Sequence, residues 1–207
     1  GYVLARLALE AGFGVRLFAL STPKAGTEAA QAHAGWLAAG GYCETTLPPL
    51  PLADAEAPDL LVDALLGIGA NGELQGEVID WIHYINQLPQ PVLCADLPSG
   101  LHADTGRLLG HEAVKASLTL TFIGLKSGLL TGMAPEQTGI IALASLWPEG
   151  EEAPEDGVAT LLPEETPMAY RVDYPMLSHW MKPRSRAAHK GDAGRVLLYG
   201  GAHGMPG

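Results

Sequence analysis

Cysteine is scarce. Cys43 and Cys94 are the two in 207 residues, and no C-x-x-C spacing joins them. That excludes a disulfide framework and a thiolate metal site. Cys94 falls in the apolar run "PVLCA" (91–95) and reads as a small core residue. Such usage suits a reducing compartment, and a cytoplasmic location is the expectation. No stretch reaches the roughly 20 successive apolar residues that a membrane helix needs, and no signal-peptide pattern is visible. Basic side chains are few, 12 Lys and Arg against 23 Asp and Glu, for a net charge of −11. An acidic chain lacks the basic surface that nucleic acid requires. No His/Cys cluster has the spacing of a zinc site.

What is present is apolar residue, 47% of the chain, enough for a packed core. The charge is unevenly placed: residues 1–165 carry 6 basic and 21 acidic side chains, residues 166–207 carry 6 and 2. Two different units are therefore expected to meet near 150–170. "YVLARLALEA" (2–11) has helical spacing, with Val3, Leu4, Leu7 and Ala8 on one face and Gly12 at its end. "GVRLFAL" (14–20) reads as a strand, and "TEAAQAHAGWLAAG" (27–40) as a helix capped by Thr27. "DLLVDALLG" (59–67) resembles a central parallel strand covered on both faces. A helix over 77–88 and strands over 91–97, 118–124 and 139–146 follow. Strands alternating with helices predict an α/β domain with a doubly wound, mostly parallel sheet. "PEGEEAPEDG" (148–157) reads as a solvated linker, and "GRVLLYGG" (194–201) as the first strand of another α/β unit.

Ligands of open α/β sheets lie beyond the carboxyl ends of the strands. Asp63 and Asp96 fall near two such ends, and on neighbouring strands both carboxylates could face one crevice. The alternative is that each binds backbone amides of the turn that follows. "GIGANG" (67–72) matches G-x-G-x-x-G literally, yet the next helix is delayed to about Glu77, which fits a dinucleotide fingerprint poorly. A loop with free amides that touches a phosphate-bearing ligand is the better reading. Lys126 is a candidate contact for a phosphate or a carboxylate, or a solvated loop lysine. His102 and Asp104 read as parts of a polar turn, and His33 and His83 as surface or boundary residues.

"VDALLGIG" (62–69), "ADLPSGLHADTG" (95–106), "TLTFIGLKSGLLTG" (119–132) and "HKGDAGRVLLYGGAHGMPG" (189–207) occur in the order in which similar stretches occur in one family. The chain resembles bacterial bifunctional NAD(P)H-hydrate repair enzymes, in which an epimerase domain precedes an ADP- or ATP-dependent dehydratase domain. The resemblance implies a Rossmann-like three-layer epimerase domain over 1–147, an acidic linker over 148–173 and the start of a ribokinase-like dehydratase domain over 174–207. It implies that Asp96 contacts the hydrated nicotinamide, and that Gly67, Ile68, Gly69, Ala70, Asn71, Gly72 and Glu73 bind the dinucleotide. Asp63 and Ser99 would be potassium ligands. ADP or ATP would serve the dehydratase part.

The substrate so implied, NADHX or NADPHX, carries a hydroxyl at C6 of the nicotinamide ring. A carboxyl group at that carbon could hand a proton to the departing oxygen and take one from incoming water, and Asp96 is the candidate. The chain is expected to be a fragment, lacking the family's N-N-G-G-D-G segment before Gly1 and most of the dehydratase after Gly207. A homo-oligomer is compatible with this reading. The competing functions are a non-catalytic binding module and an NAD-dependent oxidoreductase, since fold alone does not dictate activity.

Overall fold

Helix α1 (Tyr2–Glu10) ends where Gly12 turns the chain, with Gly12 N–H bonded to Leu9 O and Phe13 N–H to Ala8 O, both at 3.0 Å. These are the two bonds of a Schellman stop. The computed structural model describes residues 1–53, 57–144, 172, 174–178 and 187. The chain divides into two units, Gly1–Thr166 and Pro167–Gly207. Helix α2 (Glu28–Ala38) starts as its sequence predicts: Thr27 Oγ1 accepts from Ala30 N–H at 3.2 Å. The apolar face expected on α1 is half open to solvent, with Val3, Leu4 and Leu7 exposed. Val3 of α1 faces the small residues Ala32, Gly35 and Ala38 of α2 across an open space. A cavity of about 510 Å³ remains between the helices.

The strands are β1 (Leu17–Phe18), β2 (Cys43–Glu44), β3 (Leu61–Asp63), β4 (Val92–Ala95), β5 (Leu118–Phe122) and β6 (Ile140–Ala144). All pairings are parallel, in a two-stranded sheet β1-β2 and a four-stranded sheet β3-β4-β5-β6. The parallel α/β class read from the sequence is thus the one observed. The strand expected over 59–67 is shorter and differently placed. Among the described residues it pairs on one edge only, with β4, and Leu60 and Val62 are exposed. It stops at Asp63 because that carboxylate accepts Leu65 N–H at 3.2 Å, a side-chain-closed turn that competes with the ladder.

Helix α3 (Glu77–Gln87) covers the β3–β4 face. Ile82, Val92, Cys94 and Val114 form a buried cluster there, flanked by Leu61, Val78 and Ile85. Beyond β4 the alternation with helices fails. The β4–β5 connection is irregular chain closed by an antiparallel bridge between Leu101 and Leu108, and the β5–β6 connection holds two 3₁₀ turns, Ser127–Leu129 and Ala134–Glu136. These connections have a core of their own, made of Leu97, Leu101, Ala103, Ala113, Leu129 and Ala134. In the second unit the described element is α4 (Tyr174–Ser178). The expected strand over 194–201, and the expected linker over 148–173 apart from Val172, lie outside the described residues.

Candidate active site

Asp63 closes β3 and is 1% exposed. Its Oδ1 accepts from Ser99 Oγ at 2.6 Å and Leu65 N–H, and its Oδ2 from Ser99 N–H at 2.7 Å and the Cys94 thiol at 3.3 Å. Four donors fill about the four acceptor sites of a carboxylate. Ser99 Oγ in turn accepts Leu66 N–H at 3.0 Å. The pair therefore ties the end of β3 to the turn after β4, as the backbone-binding alternative for Asp63 anticipates. It fits a monovalent cation only with the Ser99 hydroxyl hydrogen swung off Asp63, which frees a lone pair on Asp63 Oδ1 beside the second lone pair of Ser99 Oγ. Burial, then the neighbouring Asp63 carboxylate and the bond to it, push the Cys94 thiol well up.

Asp96 follows β4 on a backbone few residues adopt. Its φ is 78°, and its N–H reaches across to Leu120 O on β5 at 2.8 Å. β3 and β4 are neighbours, yet the two aspartates take different partners. Asp96 faces β5: its Oδ1 accepts from Thr121 Oγ1 at 3.1 Å, from Phe122 N–H at 3.4 Å and from Lys126 Nζ. Oδ2 has no protein partner among the described residues, and the side chain is 21% exposed. One carboxylate oxygen is held and the other is open, which suits proton transfer to a bound molecule.

Gly100, in the same "DLPSG" turn, has φ 97°, and a Cβ there would lie 2.9 Å from both Ala113 Cα and Glu112 O. Glycine is what lets the turn lie against that segment. Farther along, "HADTG" is structural, as read. His102 Nδ1 accepts Asp104 N–H at 3.2 Å, and Asp104 O accepts Ser127 Oγ at 2.7 Å. That last bond, with Gly128 N–H to Ala103 O at 2.7 Å, fastens the segment bearing Lys126 to the segment that begins at Asp96. His83 pairs with Glu112 at 2.8 Å, and the His33 ring lies tilted against that of Tyr2, so neither partners these carboxylates.

Residues 67–73 form an exposed loop in which Ala70 alone is half-buried. Ala70 N–H bonds Gly67 O at 3.1 Å, and Asn71 Nδ2 donates to Gly69 O at 3.3 Å. α3 begins at Glu77 behind Gly76, so the loop does not open a helix as a dinucleotide fingerprint does. Glu73 reaches a cavity of about 280 Å³ that Arg107 and His111 also line. Thr121 and Arg107 are absent from the sequence reading. Thr121 had a signal: threonines at 119 and 121 alternate through an apolar strand, and both are 0% exposed. Arg107 had none, since an isolated basic residue in a loop looks solvated.

Comparison with known proteins points to one family. The family described as YjeF-related protein N-terminus matches residues 1–128. A bifunctional NAD(P)H-hydrate repair enzyme of Escherichia coli (strain K12) is 40% identical over 208 aligned positions, which cover all of this chain and 38% of that enzyme. A bifunctional NAD(P)H-hydrate repair enzyme of Leishmania major is 40% identical over 208 positions and 36% of its length. An NAD(P)H-hydrate epimerase of Achromobacter xylosoxidans (strain A8) is 42% identical over 102 positions, 49% of this chain and 46% of that protein. The chain thus spans well under half the length of the two-activity enzymes it matches. With the family match extending over more than half of its residues, the chain belongs to the YjeF-related protein N-terminus family.

Proposed function

We propose that this protein interconverts the R and S forms of hydrated NAD(P)H, NADHX and NADPHX, as an isomerase of nicotinamide nucleotide repair. The observation that carries the reading is Asp96, held by one oxygen and open at the other, at the carboxyl end of β4. Inversion at C6 requires a proton to be given and taken back at the C6 oxygen. If hydroxide leaves, Oδ2 protonates it, the C6–O bond breaks, the N1 lone pair makes an iminium, and water adds from the other face as Oδ2 recovers the proton. If the ring opens, Oδ2 takes the hydroxyl proton, the N1–C6 bond breaks, and N1 receives that proton until reclosure. Asp96 serves either route.

Residues Gly67 to Glu73 are the dinucleotide loop in this reading, and their backbone amides, apart from the bonded one of Ala70, would be offered to the pyrophosphate. Asp63 and Ser99 would hold a potassium ion once the Ser99 hydroxyl turns, and the ion's part is to order the two loops by oxygen coordination. We read residues 1–147 as the epimerase domain, 148–173 as linker and 174–207 as the start of a dehydratase domain that uses ADP or ATP. A cytoplasmic site of action is part of this reading, in keeping with the proposed substrate.

The test compares full-length wild type with Asp96→Ala on R-enriched NADHX, following R/S interconversion by chromatography with potassium present and no ADP or ATP. The variant is expected to lose about 10²- to 10⁴-fold in rate. Wild-type rates no faster than buffer would sink the reading and favour a binding module. Replacing potassium by lithium in the same assay is expected to slow wild type, and equal rates in both salts would remove the cation from the site.

A further inference from the structure

Lys126 has an environment that its solvated-loop reading does not anticipate. Its side chain is 18% exposed, and Nζ contacts three acceptors: Asp96 Oδ1, Thr121 Oγ1 at 3.0 Å and Phe122 O at 2.8 Å. An ammonium group has three N–H bonds. All three are used inside the protein, which leaves none for a phosphate of a ligand. Thr121 Oγ1 accepts from Lys126 and donates to Asp96, so lysine, threonine and aspartate close a three-membered circuit around Oδ1.

The backbone supports the same arrangement at a cost. Ile123, a β-branched residue, has φ 66°, and Gly124 N–H bonds Phe122 O at 2.7 Å, so Ile123 is the centre of a three-residue turn of the rare positive-φ kind. Asp96 is the other non-glycine residue with positive φ among those described. Two positive-φ residues, at the ends of two adjacent strands, shape this site: Asp96 is one member of the ion pair, and Ile123 lies three positions before the other. Strain of this sort persists only where surrounding structure enforces it, and it gathers at functional sites.

We propose that Lys126 is the positioning residue of the acid–base group: with Thr121 it occupies Oδ1 of Asp96, so that the proton is exchanged at Oδ2 alone. This rests on the epimerase reading given above. Without Lys126 the carboxyl group rotates and its proton is shared between two oxygens, one of them turned from the ligand. The substrate still binds, because Lys126 has no bond to give it.

The experiment measures kcat and KM for R/S interconversion of NADHX by the full-length protein as wild type, Lys126→Met, Lys126→Arg and Thr121→Val, with thermal melting of each. Lys126→Met is expected to lower kcat about 100-fold with KM changed less than about threefold. Lys126→Arg, which keeps the cation but not its shape, recovers part of kcat, and Thr121→Val lowers kcat about tenfold. Should Lys126→Met fail to fold, Lys126→Arg and Thr121→Val decide, and full kcat in both overturns the proposal. A Lys126→Met that loses affinity with kcat intact also overturns it, since the lysine would then be a substrate contact. Inactive wild type overturns the epimerase reading itself, and active wild type with an equally active Lys126→Met overturns this inference alone.

Discussion

Cys94 and Asp63 lie side by side in the core. Cys94 is 0% exposed, and its thiol is one of four donors gathered around the Asp63 carboxylate. The thiol makes a measurable prediction. Its pKa is raised by burial and by the Asp63 carboxylate. A raised value means that stability is complete below the unfolded thiol's pKa of about 8.5 and declines as pH rises above it. The slope approaches about 1.4 kcal/mol per pH unit until the folded thiol itself ionises. Urea unfolding between pH 8 and 10.5 is expected to show this loss in wild type and less of it in Cys94→Ser, which keeps a donor to Asp63 but does not ionise. Identical alkaline slopes in the two proteins would show that the thiol does not report on folding.

Helices were more legible than connections. Thr27 caps α2 and Gly12 ends α1 because local sequence sets both, and α3 starts at Glu77 where the delayed apolar periodicity puts it. β2 carries no sequence signal, since two residues in "YCETT" show no period, and β1 is two residues rather than seven because it pairs only with Cys43 and Glu44. Between β4 and β5 no helix forms among the described residues: Pro98, Gly100 and Gly106 break any helical run, and the apolar residues between them pack as a loop core. That core depends on close backbone approach. A Cβ on Gly128 would lie 2.2 Å from His102 O and 2.3 Å from Ala103 O, both backbone atoms that cannot swing aside. Gly128→Ala is expected to destabilise by about 3 kcal/mol, at the upper end for overpacking. It should also lower kcat of the proposed epimerisation more than Gly67→Ala, whose Cβ meets nothing within 4 Å. A Gly128→Ala protein that melts with wild type would mean that the backbone at His102 and Ala103 yields to a methyl group without cost.

For the molecule as a whole, the parallel α/β class and the two aspartates at strand ends were readable, because hydrophobic runs and turn residues encode them directly. The half-open face of α1 and the exposed outer edge of β3 were not, since a run of apolar residues says that burial is favourable and not that a neighbour is present. Charge is the other property that only the whole fold organises. Arg16 holds Glu44 by two bonds, of 2.9 and 2.8 Å, and keeps its carboxyl below the usual range. Glu112 loses solvation, which acts to raise it, yet bonds from Asn86 and His83 outweigh that and hold it below as well. A depressed carboxyl contributes stability that is present above the unfolded value of about 4.3 and is lost as pH falls through the folded value. With the thiol acting from the alkaline side, stability should be level from about pH 5 to 8 and fall on both flanks. The acid flank is the sharper test, because Glu112 ties α3 to the chain after "DLPSG" and its bonds are few enough to remove singly. Glu112→Gln keeps an acceptor for Asn86 but cannot titrate. Its unfolding free energy is expected to change less than that of wild type between pH 6 and pH 3, by roughly 0.5–1 kcal/mol, the scale of a partly exposed ion pair. An acid flank equally steep in Glu112→Gln would assign the loss to the other carboxylates and leave His83 and Asn86 as contacts without weight in folding.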